Sequence, residues 1–415
     1  MNLINTIKTA WQSLKRNKSR TFLTVIGIVI GITAVITVLS AGQAIKSLII
    51  GELESFGSNY IQVEVKTPST EQASTENAFS MVGGSVITSL KESDAQEIAK
   101  HPNISIFYTG LMGQEIVSYQ NQLKKVFLFG TNEDFINIDS GEINQGRFFD
   151  EDENSSLAKV AVLGSKVKNE LFGNNDSLGK YIKVGKEKFQ VVGEMKERGA
   201  SFTFDMDNMI FLPVKTLQKK LLGVDYVSFV IAQLEDNSTS AETAEEVTLI
   251  MRDQHDITDP NKDDFAVTTM EQAMEMLDIV ISGVQILLIA LGSISLVVGG
   301  VGIMNIMYVS VTERTFEIGL RKAVGAKNKN ILWQFLSEAV IITFIGGIIG
   351  IALGILLSGL ISVVAQSQGF DWKFSVSVSG IVLASLMSMI VGLVFGLYPA
   401  KRAAGLNPID ALRHE

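Results

Sequence analysis

IVISGVQILLIALGSISLVVGGVGIMNIMYVSVT, residues 279–312, contains no Asp, Glu, Lys or Arg, and ERTFEIGLRKAVGA, residues 313–326, follows it at once and is dense in charge. A hydrocarbon core about 30 Å thick needs roughly 20 apolar residues to cross it. The first piece is therefore a membrane span with residues to spare. As a helix it is about 51 Å long and projects from the bilayer at one end. The second piece reads as a short amphipathic helix on the membrane surface. Phe316, Leu320 and Val324 recur at four-residue spacing, and Glu313 and Glu317 are placed to pair with Arg314 and Arg321 across helical turns. Lys322 adds charge near the end, and Gly325 stands where a helix takes its C-terminal stop. An apolar seam beside a charged face suits docking of a soluble partner; an interfacial connector is the plainer alternative.

Three other stretches lack charged residues and are long enough to span: 21–45, 339–370 and 374–400. The first is too long for a secretory signal, because its apolar run of 22–39 exceeds the roughly 7–15 residues of such a core; an uncleaved helix is expected. We place the spans at 21–45, 279–312, 335–364 and 377–399. An external loop covers 365–376, the coupling segment 313–330 and the tail 400–415. Lys and Arg cluster before the first span, between the second and third, and after the fourth. By the positive-inside rule both termini and 313–330 are cytoplasmic, and 46–278 lies outside. Residues 1–20, with Trp11 among Leu3, Ile7 and Leu14, read as a basic interfacial helix.

Composition agrees with a multi-pass protein of the plasma (inner) membrane. Of 415 residues 47% are hydrophobic and 19% charged, below the roughly 25% of soluble domains. The cytoplasmic segments and short loop total +8 against a chain net of −9, which leaves −17 for the outer segment. So acidic a domain is a poor ligand for nucleic acid. There is no cysteine, so neither disulfides nor thiolate metal sites contribute.

The outer segment reads as an α+β domain with two lobes. Strands are expected at 60–65, within 104–129, at 159–163, in a hairpin over 180–193, up to Pro213, and at 227–234 and 265–267. Helices are expected at 93–100, 165–172 and 240–253, and 67–85 is a polar loop. From residue 270 the pattern continues unbroken into the second span. Small residues recur every four positions in the spans: Gly27 and Gly31, Ser295 and Gly299, Gly346 with Gly350 and Gly354, and Gly392 with Gly396. In lipid such stripes allow backbones to approach closely, within one chain or between two.

Sites for chemistry are not legible. The P-loop pattern is absent, and Gly299-Gly300-Val301-Gly302 lies in an apolar span where packing is its role. His101, His255 and His414 are read as surface residues, and the acidic runs 150–153 and 263–264 as solvated loops. No catalytic or metal-binding residue is assigned. No buried ionisable group is expected in the spans, with Asn305 the main polar side chain of the second, which argues against ion-coupled transport.

The runs GGVGIMNIM (299–307), VSVTERT (309–315) and EIGLRKAVGA (317–326) closely resemble the MacB family of ABC transporter permeases. GLYPAKRAA (396–404) and NPIDALR (407–413) resemble that family's ending. RTFLT (20–24) with GIVIG (27–31) resembles its first span, and GRFF (146–149) with VAVLG (160–164) its outer domain. The resemblance implies a homodimer of permease chains with an ATPase beneath, the helix at 313–325 resting on it, and an inserted outer lobe at roughly 131–222. It implies no cofactor on this chain, with ATP and Mg on a separate ATPase subunit, since the type member's fused ATPase is not found in these residues. It further implies mechanotransmission, in which no solute passes between the spans and ATP-driven closure moves the outer domains. Export of peptides, toxins or antibiotics with a MacA-like adaptor is the expected function. A lipoprotein-extraction permease and an FtsX-like regulator of a cell-wall hydrolase are the alternatives.

Overall fold

The computed structural model describes residues 18–55, 59–66, 88–199, 205–370 and 372–413. Residues 1–17 of the interfacial helix expected at 1–20, the polar loop at 67–85 and His414 lie outside these. In chain order the elements are α1 (Lys18–Ser55), β1 (Tyr60–Val65), α2 (Glu92–Ile98), β2 (Ile104–Tyr119), β3 (Gln122–Thr131), α3 (Phe135–Ile138), β4 (Ile143–Gly146), α4 (Glu151–Ser155), β5 (Val160–Leu163), α5 (Ser165–Phe172), β6 (Tyr181–Val184), β7 (Glu187–Met195), β8 (Met209–Pro213), α6 (Val214–Thr216), β9 (Phe229–Leu234), α7 (Ser240–Gln254), β10 (Phe265–Thr269), α8 (Met270–Glu313), α9 (Thr315–Ala323), α10 (Asn328–Ser367), α11 (Val378–Gly405) and α12 (Pro408–Arg413). The chain divides into two units, Leu48–Leu277 and the rest.

The unit 48–277 is built on a ten-stranded sheet ordered β10-β1-β9-β2-β3-β8-β5-β7-β4, with β6 bridging β2 and β7. Alternation fixes its register: Ile61 and Val63 are fully buried, while Gln62 between them and Glu64 after them are partly exposed. Strand β2 changes partners part-way along. The first half of β2 pairs with β9, up to Gly110 opposite Phe229. From Leu111 on it pairs with β3. At the changeover the Phe229 ring lies on Gly110, where a Cβ would come within 2.1 Å of it. A single 16-residue strand thus serves both pairings. An aromatic cluster fills one side of the sheet, with Phe135 edge-on to Tyr108 at 5.2 Å and against Phe129 and Phe211.

Three expectations for this unit are corrected. His255 and His101 are not surface residues: each side chain is 9% exposed. His255 sits between Asp264 (Nδ1 to Oδ1, 2.8 Å) and Asp94 (Nε2 to Oδ2, 3.3 Å), and His101 meets Glu246. Asp263 is buried against Arg252 and is not solvated. Asp150 and Glu153 form the capping box of α4, with Glu153 paired to Arg147.

Among the described residues four helices, α8, α10 and α11 included, are long and apolar enough to cross a membrane. α8 follows the unbroken pattern expected from residue 270, while α10 and α11 extend beyond the spans placed at 335–364 and 377–399. α8 has 44 residues, about 66 Å at 1.5 Å per residue, because the amphipathic start at Met270 and the apolar span share one helix. α10 starts at Asn328, ahead of 335. α11 continues through Pro399 to Gly405, so that much of the tail is helical. The small-residue stripes lie at contacts between helices of this one chain. Gly27 and Gly31 of α1 meet Gly299, Leu296 and the backbone carbonyls of Ser295 and Gly292 on α8. Gly346, Gly350 and Gly354 of α10 receive Ile28, Ile32 and Ile36 of α1, and Thr33 Oγ1 donates to the Gly350 carbonyl at 3.0 Å. Gly392 and Gly396 of α11 face Val340, Thr343 and Ala339 of α10.

Candidate functional site

The site is α9 and what holds it. α8 ends at Glu313, and across the break Thr315 Oγ1 donates to the carbonyls of Val311 and Thr312 (3.1 and 2.9 Å). Nine residues later α9 is closed by a Schellman motif. The Gly325 N–H donates to the Lys322 carbonyl and the Ala326 N–H to that of Arg321, both at 3.0 Å. Gly325 takes φ +104°, a region open to glycine but strained for other residues.

One face of α9 is fixed to the membrane unit. Ile318 and Gly319 are buried, and a Cβ on Gly319 would lie 2.7 Å from the Ala411 Cβ, so α12 packs directly on this helix. Arg314 Nη1 bonds Glu338 Oε2 of α10 at 3.2 Å, and its guanidinium lies 5.5 Å from the centre of the Phe335 ring. Arg321 spans from Glu317 (2.5 Å) to Gln334 of α10 (2.7 Å). Lys322 Nζ donates to the Ala404 and Leu406 carbonyls at 2.7 and 2.6 Å, a cation at the C-terminal, negative end of α11. Arg402 binds the Tyr308 hydroxyl and stacks on its ring at 4.3 Å, fastening the end of α11 to α8.

The other face is open. Phe316, Leu320 and Val324 are 55, 51 and 83% exposed, and Ile409 of α12 is 73% exposed at the same end. The arrangement is a helix pinned by charge on one side that presents an apolar seam on the other.

Sequence reading and structure differ at two points. Glu317 takes both arginines at 3.2 and 2.5 Å, whereas Glu313 pairs with neither, since it ends α8 on the far side of the break. The expectation of no buried ionisable group in the spans fails at Glu338, which is 1% exposed within α10. Its charge is tolerated because Arg314 neutralises it, and that places Glu338 in the anchoring of α9. Glu338 stands at the edge of the charge-free stretch 339–370, which is the one sequence signal for it. Gln334 and the carbonyls that receive Lys322 gave none.

Residues 21–250 match the MacB-like periplasmic core domain, and 288–408 match the FtsX-like permease C-terminal domain. The chain belongs to the family of MacB-like ABC transporter permeases. Relatives of this MacB-like permease include the macrolide export ATP-binding/permease protein MacB of Bdellovibrio bacteriovorus, 35% identical over 415 residues, with 100% of this chain and 62% of that protein aligned. The protein of the same name from Chlorobaculum tepidum is 36% identical over 414 residues, again covering 100% and 62%. The permease thus spans about three fifths of the length of the curated relatives it matches. Among solved structures, the periplasmic region of MacB from Actinobacillus actinomycetemcomitans aligns with a TM-score of 0.46 at 21% identity, over 55% of this chain and 97% of that one.

Proposed function

We propose that this chain is a mechanotransmitting permease: ATP hydrolysis on an ABC ATPase domain supplied from outside these 415 residues moves the acidic outer domain, and no solute passes between the spans. ATP and Mg bind that ATPase. Two copies of the permease act together, with the termini and α9 in the cytoplasm and 46–278 outside. The relatives are named for macrolide export, and the cargo class we favour is antibiotics, peptides or toxins handed to a MacA-like adaptor.

The observation that supports this reading most is α9. A helix that transmits force needs a rigid attachment and a free contact surface. Arg314, Arg321 and Lys322 supply the attachment to α10 and α11, and Phe316, Leu320 and Val324 supply the surface. α8, which leads into α9, is one unbroken helix of 44 residues, long enough to carry motion beyond the hydrocarbon core. The test is purification from native membranes with identification of the bound chains, then ATPase assays with and without the permease. Recovery of an ABC ATPase whose rate depends on the permease is expected. A permease that brings down no nucleotide-hydrolysing chain would falsify the proposal.

A further inference from the structure

Along α1 and α10 the contacts step at four residues: Ile28 with Gly346, Ile32 with Gly350, Ile36 with Gly354. In each case an isoleucine fills the groove a glycine leaves. One step further the same spacing brings Ser40 of α1 and Ser358 of α10, 2 and 7% exposed. Serine is too small to fill that groove, and a cavity of about 10 Å³ remains, lined also by Thr37 and by Trp372, Phe374 and Ser375 of the α10–α11 loop. The hydroxyl oxygens of Thr37, Ser40, Ser358 and Ser375 are all buried, and none has a hydrogen-bond partner. The loop is held over the cavity by Ser362 Oγ and Gln366 Nε2, which donate to the Trp372 carbonyl at 3.3 and 2.8 Å.

A buried hydroxyl without a partner is costly, and four around one void is an arrangement a folded chain does not keep dry. A single water needs roughly 10–15 Å³ and about three hydrogen bonds. The volume matches, and each hydroxyl offers one donor and two acceptor positions. We propose that this cavity is a built site for one buried water, which bridges α1, α10 and the loop at residues 372–375. The water takes over, at the Ser40–Ser358 step, the role isoleucine plays at the other three. The competing arrangement turns the Thr37, Ser40 and Ser358 hydroxyls onto carbonyls of their own helices.

Two measurements on the full chain decide between them. A cryo-EM map at water resolution is expected to show density within hydrogen-bonding distance of at least two of the four hydroxyls; an empty cavity overturns the proposal. Ser358→Ala and Thr37→Val are each expected to lower the unfolding midpoint by several degrees. The double variant is expected to fall short of their sum, because both lose the same water. Midpoints that stay level or rise, or effects that add, contradict the site.

Discussion

Replacing Phe316 and Leu320 by serine together tests the seam of α9 with little risk to the fold. Full burial of such a side chain is worth about 1.5–3 kcal/mol. With 55 and 51% of their surfaces exposed, docking can gain about 1–1.5 kcal/mol from each. The double substitution should therefore weaken binding of the ATPase by about 2–3 kcal/mol, roughly 30- to 150-fold in dissociation constant. The membrane unit should hold, because Ile318 and Gly319 provide the buried face and the charged contacts lie elsewhere. The assay titrates the ATPase that co-purifies with the permease against permease in nanodiscs, reading binding and stimulated hydrolysis in parallel. Affinity and stimulation both within threefold of the unsubstituted protein would refute the idea that this seam is the docking surface.

Three other outcomes are expected. Glu338→Leu alone takes from Arg314 its buried partner and leaves it the more exposed Glu317, and should cost about 1–3 kcal/mol, whereas Glu338→Leu with Arg314→Met should recover most of it, as thermal unfolding in detergent will show. Gly350→Val must push against Ile32 Cβ and the Val29 carbonyl at 2.9 and 3.0 Å and should cost about 1–3 kcal/mol or more. Gly283→Val, with nothing within 4 Å, serves as the control for the same assay. In the outer domain the Asp94 hydrogen bond, aided by Asp264 and opposed by burial, holds the His255 pKa above 6.5. At Asp94 burial works to raise the pKa, but the bonds from His255, the Lys91 N–H and Ser93 prevail and hold it below 3.8. The imidazolium contribution is thus full below pH 6.5 and disappears as pH rises through the elevated histidine pKa, while the Asp94 contribution disappears only in acid. Protection factors of the amides around residues 252–265, with the intrinsic base-catalysed exchange rate divided out, should fall on going from pH 6 to pH 8, and His255→Gln should remove that fall; an unchanged protection profile in the variant counts against it.

Much of this was readable because lipid imposes few options. Charge-free stretches longer than 20 residues can only be spanning helices or buried cores, and the Lys and Arg flanks separate these. The stripes at Gly346, Gly350 and Gly354 marked a contact face, but periodicity cannot say which helix fills it; Ile28, Ile32 and Ile36 emerge only from the fold. The same limit hid the partners of α9. Phe316, Leu320 and Val324 declare themselves by spacing, whereas Arg314 reaches Glu338 across 24 positions and Lys322 reaches Leu406 across 84. The histidines were misread for the same reason: Asp253, Asp256 and Asp259 stand nearer His255 in sequence than Asp264 does, and Asp94 arrives from 161 positions away. The change of partner along β2 left no trace in the sequence, because β2 carries no turn signal at Gly110, where the strand switches from β9 to β3 without stopping.

The central claim is that hydrolysis displaces the outer domain through α9 and α8. The chain has no cysteine, so replacing the exposed Asn169 of α5 by Cys (Asn169→Cys) gives one spin label per copy without further engineering. Pulsed electron–electron distance measurements between the labels of two assembled copies, with and without ATP, follow that displacement directly. The account predicts a shift of the distance distribution on ATP addition that vanishes in the Phe316→Ser, Leu320→Ser background; identical distributions while ATP turns over at the full rate would contradict it.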